Sequence, residues 1–401
     1  MRRLFLIALM CAACAAKPVL PTQPVAVKVD ALAKADNSFG IELLKRLADA
    51  TPGENVFISP SSIAIALQMT MTGAAGETYR SMSDALAVTD LSLAEVNAGN
   101  ATLRSSLVSA DPKVKLAIAN SLWLRKGVKL QKSFVDACRT NYNAQVSELD
   151  FAQPAAIKTI NDWASANTNG RIKEIISQLT PQEIVVLVNA IYFKGTWTDQ
   201  FKKDLTAPRD FYLPAGAASR QMMRRDAKFR YKQGDGMQAV VIPYGSGRMS
   251  MYVFLPDKRD GLADLLARMD GKNWDDWFGG FSSSDGEVVL PKFRIEYGTS
   301  LTNVLKALGM AAAFAPSADF SKMVVPPATA AISDVIHKTF VEVNEEGTEA
   351  AAVTAVKMLA TSMPNRQEHF SFVADHPFVC AIRDDTTGAV LFVGAIYDPK
   401  Q

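Results

Sequence analysis

The chain has 401 residues, of which 48% are hydrophobic and 21% charged, with a formal net charge of +2. This is a composition that can bury a large core, and the small net charge argues against a general nucleic-acid binder. No Gly/Ser/Pro-rich spacer divides the chain after residue 30, so one large domain is expected rather than several small ones.

Arg2 and Arg3 precede a short apolar run, Leu4 to Cys11, followed by small residues. This is the layout of an export signal and is too short to span a bilayer. Ala13 and Ala15 fit an ordinary small-residue cleavage site, whereas Cys11-Ala12-Ala13-Cys14 resembles a lipobox that would leave Cys14 as a lipidated N-terminus. Residues 1–16 are therefore assigned to the signal. Residues 17–30, Pro- and Val-rich without periodicity, are assigned to an extended tether, and 31–401 to the folded domain. The expected location is extracytoplasmic: an outer-membrane lipoprotein, or a periplasmic or secreted protein. The two remaining cysteines, Cys138 and Cys380, lie in apolar patterns and are expected to be buried free thiols.

Apolar spacing predicts a helix from Ala31 to Leu47. A short strand through Asn55-Val56-Phe57-Ile58 runs into Ser59-Pro60-Ser61-Ser62, where Pro stops the strand and starts a helix. That helix is apolar nearly all round to Thr72, so it should be buried. Leu116 to Leu124 is expected to be a strand, and Lys132 to Tyr142 and Ile157 to Thr168 helices. Glu183 to Phe193 is nearly continuous in apolar character, as a central strand covered on both faces would be. Strands are then expected at Ala239–Ile242, Met249–Leu255, Glu287–Leu290, Val335–Val343, Phe370–Val373, Phe378–Ile382 and Val390–Ile396, with one helix at Leu301–Leu308 capped by Gly309. Early helices and late strands make an α+β pattern. The basic stretch Arg220, Arg224, Arg225, Lys228, Arg230 and Lys232 reads as a solvated hairpin face, with a polyanion site as the other possibility.

One segment fits no core pattern. From Glu345 to Val356 the residues are small, and no stripe is evident as far as Glu368. A structureless stretch of that length in a compact domain is uncommon and often functional. In extended form, Thr348, Ala350, Ala352, Thr354 and Val356 share one face, small and uncharged, while the other face carries Glu349 and Lys357. The loop is thus written as a half-buried strand; a flexible Ala-rich surface loop is the plainer reading.

Here the sequence resembles the serpin family, over about Asn37 to Pro399. Glu345, Glu346, Gly347, Thr348, Glu349, Ala350, Ala351, Ala352, Val353 and Thr354 resemble its hinge. Asn55 with Ser59-Pro60-Ser61-Ser62, the run Asn189 to Trp197, Leu290-Pro291-Lys292-Phe293, Leu308-Gly309-Met310 and Ala374 to Phe378 resemble further motifs. The resemblance implies three β-sheets, about nine helices and an exposed reactive-centre loop at about 345–368 on a metastable fold. It implies a suicide-substrate inhibitor: a serine protease, or for some members a cysteine protease, becomes acyl-linked to the cut loop, which then inserts as a new strand. It places Ser59, Ser62, Asn189 and His337 in a shutter holding the central strands, and Trp197 at the breach where the hinge enters. Hinge spacing puts the scissile bond at Thr361-Ser362; measuring back from His376-Pro377-Phe378 gives Arg366-Gln367 instead. A small residue at Thr361 implies elastase-like or subtilisin-like targets.

An enzyme is not expected. Only His337, His369 and His376 could serve as histidine bases, and no G-x-S-x-G, H-E-x-x-H or phosphate-loop pattern is present. No cofactor, metal or nucleic-acid partner is expected, the membrane is reached only through the lipid anchor, and a monomer is expected. The rival function is a non-inhibitory serpin that binds a ligand or acts as a chaperone. The small residues from Thr348 to Thr354 favour inhibition.

Overall fold

A computed structural model describes residues 28–271, 273–348 and 369–400. Cys14, the hinge residues Glu349, Ala350, Ala351, Ala352, Val353 and Thr354, and both sides of the expected reactive bond, Thr361 and Ser362, lie outside the described residues.

The first helix, α1 (Val29–Ala50), begins before its expected start and buries Phe39, Leu43, Leu44 and Leu47. Strand β1 (Val56–Ile58) follows, then α2 (Pro60–Met71), every residue of which is buried. Ser59 is extended and accepts from the Ser62 amide, while Pro60 occupies the first helical position, where its missing N–H costs nothing. Helices α3 (Gly76–Ala85), α4 (Leu93–Val108), α5 (Lys132–Tyr142) and α6 (Pro154–Asn167) complete the larger helices.

One sheet has six strands. From edge to edge they are β10 (Phe293–Ser300), β11 (Ile332–Asn344), β12 (Gly347–Thr348), β4 (Val185–Thr196), β2 (Val114–Arg125) and β3 (Gln145–Leu149). Strand β4 has α2 on one face and α6 on the other, which explains its unbroken apolar run.

The other sheet follows the path β1, β15 (Val390–Ile396), β14 (Phe378–Asp384), β8 (Met249–Pro256), β7 (Met237–Tyr244), β6 (Gly216–Gly234), β9 (Ser282–Pro291) and β13 (Phe370–Val373), with β5 (Ala207–Leu213) on β6. Two of the three expected sheets are continuous here, because β6 is long enough to pair with β5, β9 and β7 in turn. The α+β class stands. The expected helix at Leu301–Leu308 is interrupted: Gly309 has φ +105° inside a wide turn, Lys306–Met310, a conformation that favours glycine.

Cys138 and Cys380 are buried free thiols, and burial pushes each up to about 12.

Candidate functional site: a forked sheet and its gate

Strands β4 and β11 run parallel and pair directly from Ile332↔Val185 to Phe340↔Tyr192. Beyond that point they part. Asn344 ends β11, and its Oδ1 accepts from the amides of Glu346 (3.0 Å) and Gly347 (3.2 Å), which turns the chain back on itself. The returning Gly347 and Thr348 lie between the two strands, antiparallel to both: Thr348 opposite Val343 and Gly195, Gly347 opposite Asn344 and Thr196. Gly347 has φ +146°, and a Cβ there would lie 2.1 Å from the Gly195 carbonyl oxygen, so no other residue fits without displacing β4. The sheet is therefore a fork, closed at one end and holding the first residues of the expected hinge in the other.

The floor of the fork is aromatic. Trp197 stacks on Tyr244 with centroids 4.3 Å apart, and its Nε1 donates to the Asn344 carbonyl at 2.9 Å. The Trp197 amide donates to the Glu346 carbonyl, and the Phe201 amide to that of Glu345. The side chain of Thr348 is fully buried, its hydroxyl 2.7 Å from that of Tyr244.

The turn is tied down electrostatically as well. Lys292 Nζ is 3.0 Å from Glu345, and Thr206 donates to the same carboxylate. Burial pushes Glu345 up, but its backbone, Lys292 and Thr206 together outweigh that and hold the carboxyl below its ordinary range. Glu346 pairs with the exposed Lys203 at 2.7 Å. A hollow of about 510 Å³ runs alongside, lined by Lys203, Lys292 and Arg294 and by Glu342, Glu345 and Glu346.

At the closed end, one polar cluster crosses three strands at a single level. Asn120 on β2 is in register with Asn189 on β4, which is in register with His337 on β11. Asn189 Nδ2 donates to Asn120 Oδ1 (2.5 Å) and to Ser62 Oγ (2.5 Å), with the Ser62 carbonyl at 3.1 Å. Its Oδ1 faces His337 Nδ1 at 2.6 Å, and the Ser59 amide donates to His337 Nε2 at 3.2 Å. An N–H donor at Nε2 leaves the ring proton on Nδ1, so the imidazole is neutral. Full burial lowers its pKa to about 3. Thr339, also buried, donates to the Phe57 carbonyl at 2.7 Å.

Thus Ser59, Ser62, Asn189 and His337 meet at one point, and Trp197 meets Glu345 to Thr348 at another. Asn120, Tyr244, Lys203 and Thr206 were missed in the sequence. Asn120 is visible only once the β2–β4 register is known, and Tyr244 ends an ordinary apolar strand.

The basic stretch on β6 is internally neutralised. Arg220 pairs with Asp398 (2.5 Å), Arg224 with Glu287 (2.5 Å) and Asp226, Lys228 with Asp285 and Arg230 with Asp385. Arg225 lies between the rings of Phe201 and Phe229, and Lys232 donates to the carbonyls of Trp277 and Gly279. Among the described residues, four of these six cations thus have a carboxylate partner.

The sheet is thus forked around the start of a returning loop, over a buried Asn–His cluster. Residues 34–399 match the family described as Serpin (serine protease inhibitor), and the chain belongs to the serpin family. It is 35% identical to an uncharacterized serpin-like protein of Thermococcus kodakarensis, over 91% of this chain and 85% of that one. It is 37% identical to serpin B8 of Bos taurus, over 92% and 100%. Among solved structures, it is similar to the thermophilic serpin tengpin in its native state, with a TM-score of 0.85, 30% identity and coverage of 93% and 96%. It is also similar to human thyroxine-binding globulin, with a TM-score of 0.86, 26% identity and coverage of 93% and 100%.

Proposed function

We propose that the chain is a suicide-substrate inhibitor of serine proteases, with Glu345 to Thr354 as the hinge and Thr361-Ser362 as the bond attacked. The carrying observation is the fork, with Thr348 already between β11 and β4. Attack by the protease serine on the Thr361 carbonyl leaves an acyl-enzyme, with Ser362 as the new N-terminus of the released C-terminal segment. The freed hinge then extends β12 downward, between β4 and β11 where they at present pair directly with each other. A full strand adds roughly ten backbone hydrogen bonds at about 1 kcal/mol each, a gain of the strand-addition type. To pass, it has to separate Asn189 from His337, so Ser59, Ser62, Asn189 and His337 act as the shutter and Trp197 marks the breach. The alternating small residues suit burial on one side.

Thr361 suits a shallow primary pocket, so elastase-like and subtilisin-like enzymes are the proposed targets. The test is incubation with each, followed by denaturing gels and mass spectrometry of the released peptide. A complex that survives denaturant and a peptide beginning at Ser362 are expected. A stable complex releasing a peptide that begins at Gln367 would move the bond to Arg366. Clean cleavage without complex would favour the second reading, a non-inhibitory binding protein, towards which the likeness to thyroxine-binding globulin points.

Export with a lipid on Cys14 belongs to the same proposal: a membrane fraction emptied by Cys14→Ala is expected, and a wholly soluble parent chain would contradict it. No helix among the described residues is long and apolar enough to cross a membrane.

A further inference from the structure

We propose that Asp36 keeps a proton in the folded chain at neutral pH, so that a neutral carboxyl clasps α1 to α2 and α4, and that alkali opens this clasp. Asp36, Gln68 and Asn100 come from these three helices, and all are buried. Asn100 Nδ2 donates to the Val96 carbonyl of its own helix (2.9 Å) and to Gln68 Oε1 (2.6 Å). Gln68 Nε2 in turn donates to Asp36 Oδ1 (2.8 Å). A carbonyl can only accept, so Val96 fixes the sense of the whole relay.

That sense leaves two acceptors over. Asp36 Oδ2 and Asn100 Oδ1 are buried, and neither has a donor. An ionised Asp36 would be a buried charge short of a hydrogen bond, and no cation pairs with it among the described residues. A proton on Oδ2 removes the charge and turns the orphan acceptor into a donor. Asn100 Oδ1 is the acceptor left in the same cluster.

The elements packed on α1 supply nothing to hold the charged form. Helix α2, strands β1 and β15 and the short helix Thr302–Leu305 contain no charged residue. On α4, Glu95 pairs with Lys28, and Arg104 makes no ion pair among the described residues. On the short helix Trp274–Trp277, Asp275 pairs with Lys34, and Asp276 is exposed. Helix α5 presents the buried Cys138 thiol and the Tyr142 hydroxyl, which donates to Asn97 Oδ1 at 2.6 Å. Burial therefore pushes the Asp36 carboxyl well above its ordinary range, and the Gln68 amide offsets only part of this.

Below pH 3.8 the folded and unfolded chains both carry this proton, and its contribution is complete. Above that only the folded chain holds it, and each pH unit costs the folding equilibrium about tenfold until the raised pKa of the folded state is passed. Helix α2 also carries Ser62 at its start, just after Ser59, and these two bond Asn189 and His337. It is thus tied to two buried groups of opposite sense, His337 lost in acid and Asp36 in alkali. None of this rests on the inhibitor reading.

The experiment is infrared difference spectroscopy of the full chain against Asp36→Asn at neutral pH. The variant keeps an acceptor for Gln68 and a donor in place of the O–H, without the charge. The C=O stretch of a protonated carboxylic acid is expected in the parent and not in the variant. Its absence from the parent, or its persistence in the variant, overturns the proposal. Should the variant not fold, carboxyl-labelled ¹³C-aspartate in the parent decides, since a band that does not shift is not an aspartic acid. The denaturant midpoint of the parent should also fall relative to that of Asp36→Asn from about pH 5 to 8, and parallel curves overturn the clasp.

Discussion

Thr348 and Tyr244 join hydroxyls at 2.7 Å inside the fork, both fully buried, and this contact seats Thr348 between β4 and β11. Tyr244→Phe keeps the ring on Trp197 but strips Thr348 of its partner. An unsatisfied buried hydroxyl costs about 1–3 kcal/mol. We expect a lower denaturant midpoint with an unchanged slope, since no large surface is newly exposed. An unchanged midpoint would mean that the contact contributes nothing.

The two ion pairs at the turn should differ in weight. Lys203 is 68% exposed on its side chain, so water and salt screen its pair with Glu346, and Lys203→Ala should be nearly silent. Glu345 is 7% exposed on its side chain, and Lys292 is half-buried. Lys292→Ala strands a largely buried carboxylate, for which about 3 kcal/mol is an upper bound because Thr206 still donates to it. Thermal or urea unfolding of both variants tests the ranking; equal effects would contradict it.

His337 gives the stability of the fold a pH dependence with a definite sign. Its pKa is lowered from 6.5 to about 3 on folding, so below pH 6.5 the unfolded chain takes up a proton that the folded chain does not. The neutral imidazole's contribution is complete above pH 6.5 and is lost as pH falls towards 3, at no more than about 1.4 kcal/mol per pH unit. In His337→Gln this component should vanish between pH 6.5 and 4.5, a window mostly above the titration of ordinary carboxylates. Parallel stability curves for the two proteins in that window would refute it.

Much of this was legible in the sequence because periodicity and punctuation are local. Helix Lys132–Tyr142 and strands Phe370–Val373 and Val390–Ile396 fall where the pattern puts them. The long strand β6 did not stand out, because its charges follow neighbours on β9 and other segments rather than a simple alternation. The buried polar cluster was readable as far as Ser59, Ser62, Asn189 and His337 by resemblance. Asn120 needed the register of β2 against β4, and the Thr348–Tyr244 contact needed the end of β7 brought under the fork. Such partners are set by tertiary pairing, which one-dimensional pattern does not carry.

The most direct measurement is the yield of denaturant-resistant complex from Thr348→Arg and Glu349→Arg with one susceptible protease. Thr348 is fully buried in the fork, and in an inserted strand the next side chain would face the other way. A guanidinium at 348 without a partner costs several kcal/mol, which slows insertion and leaves time for the acyl-enzyme to hydrolyse. The account predicts that Thr348→Arg is cut at the same bond with little complex, while Glu349→Arg traps the protease nearly as the parent does. Equal complex yields from the two variants would contradict it.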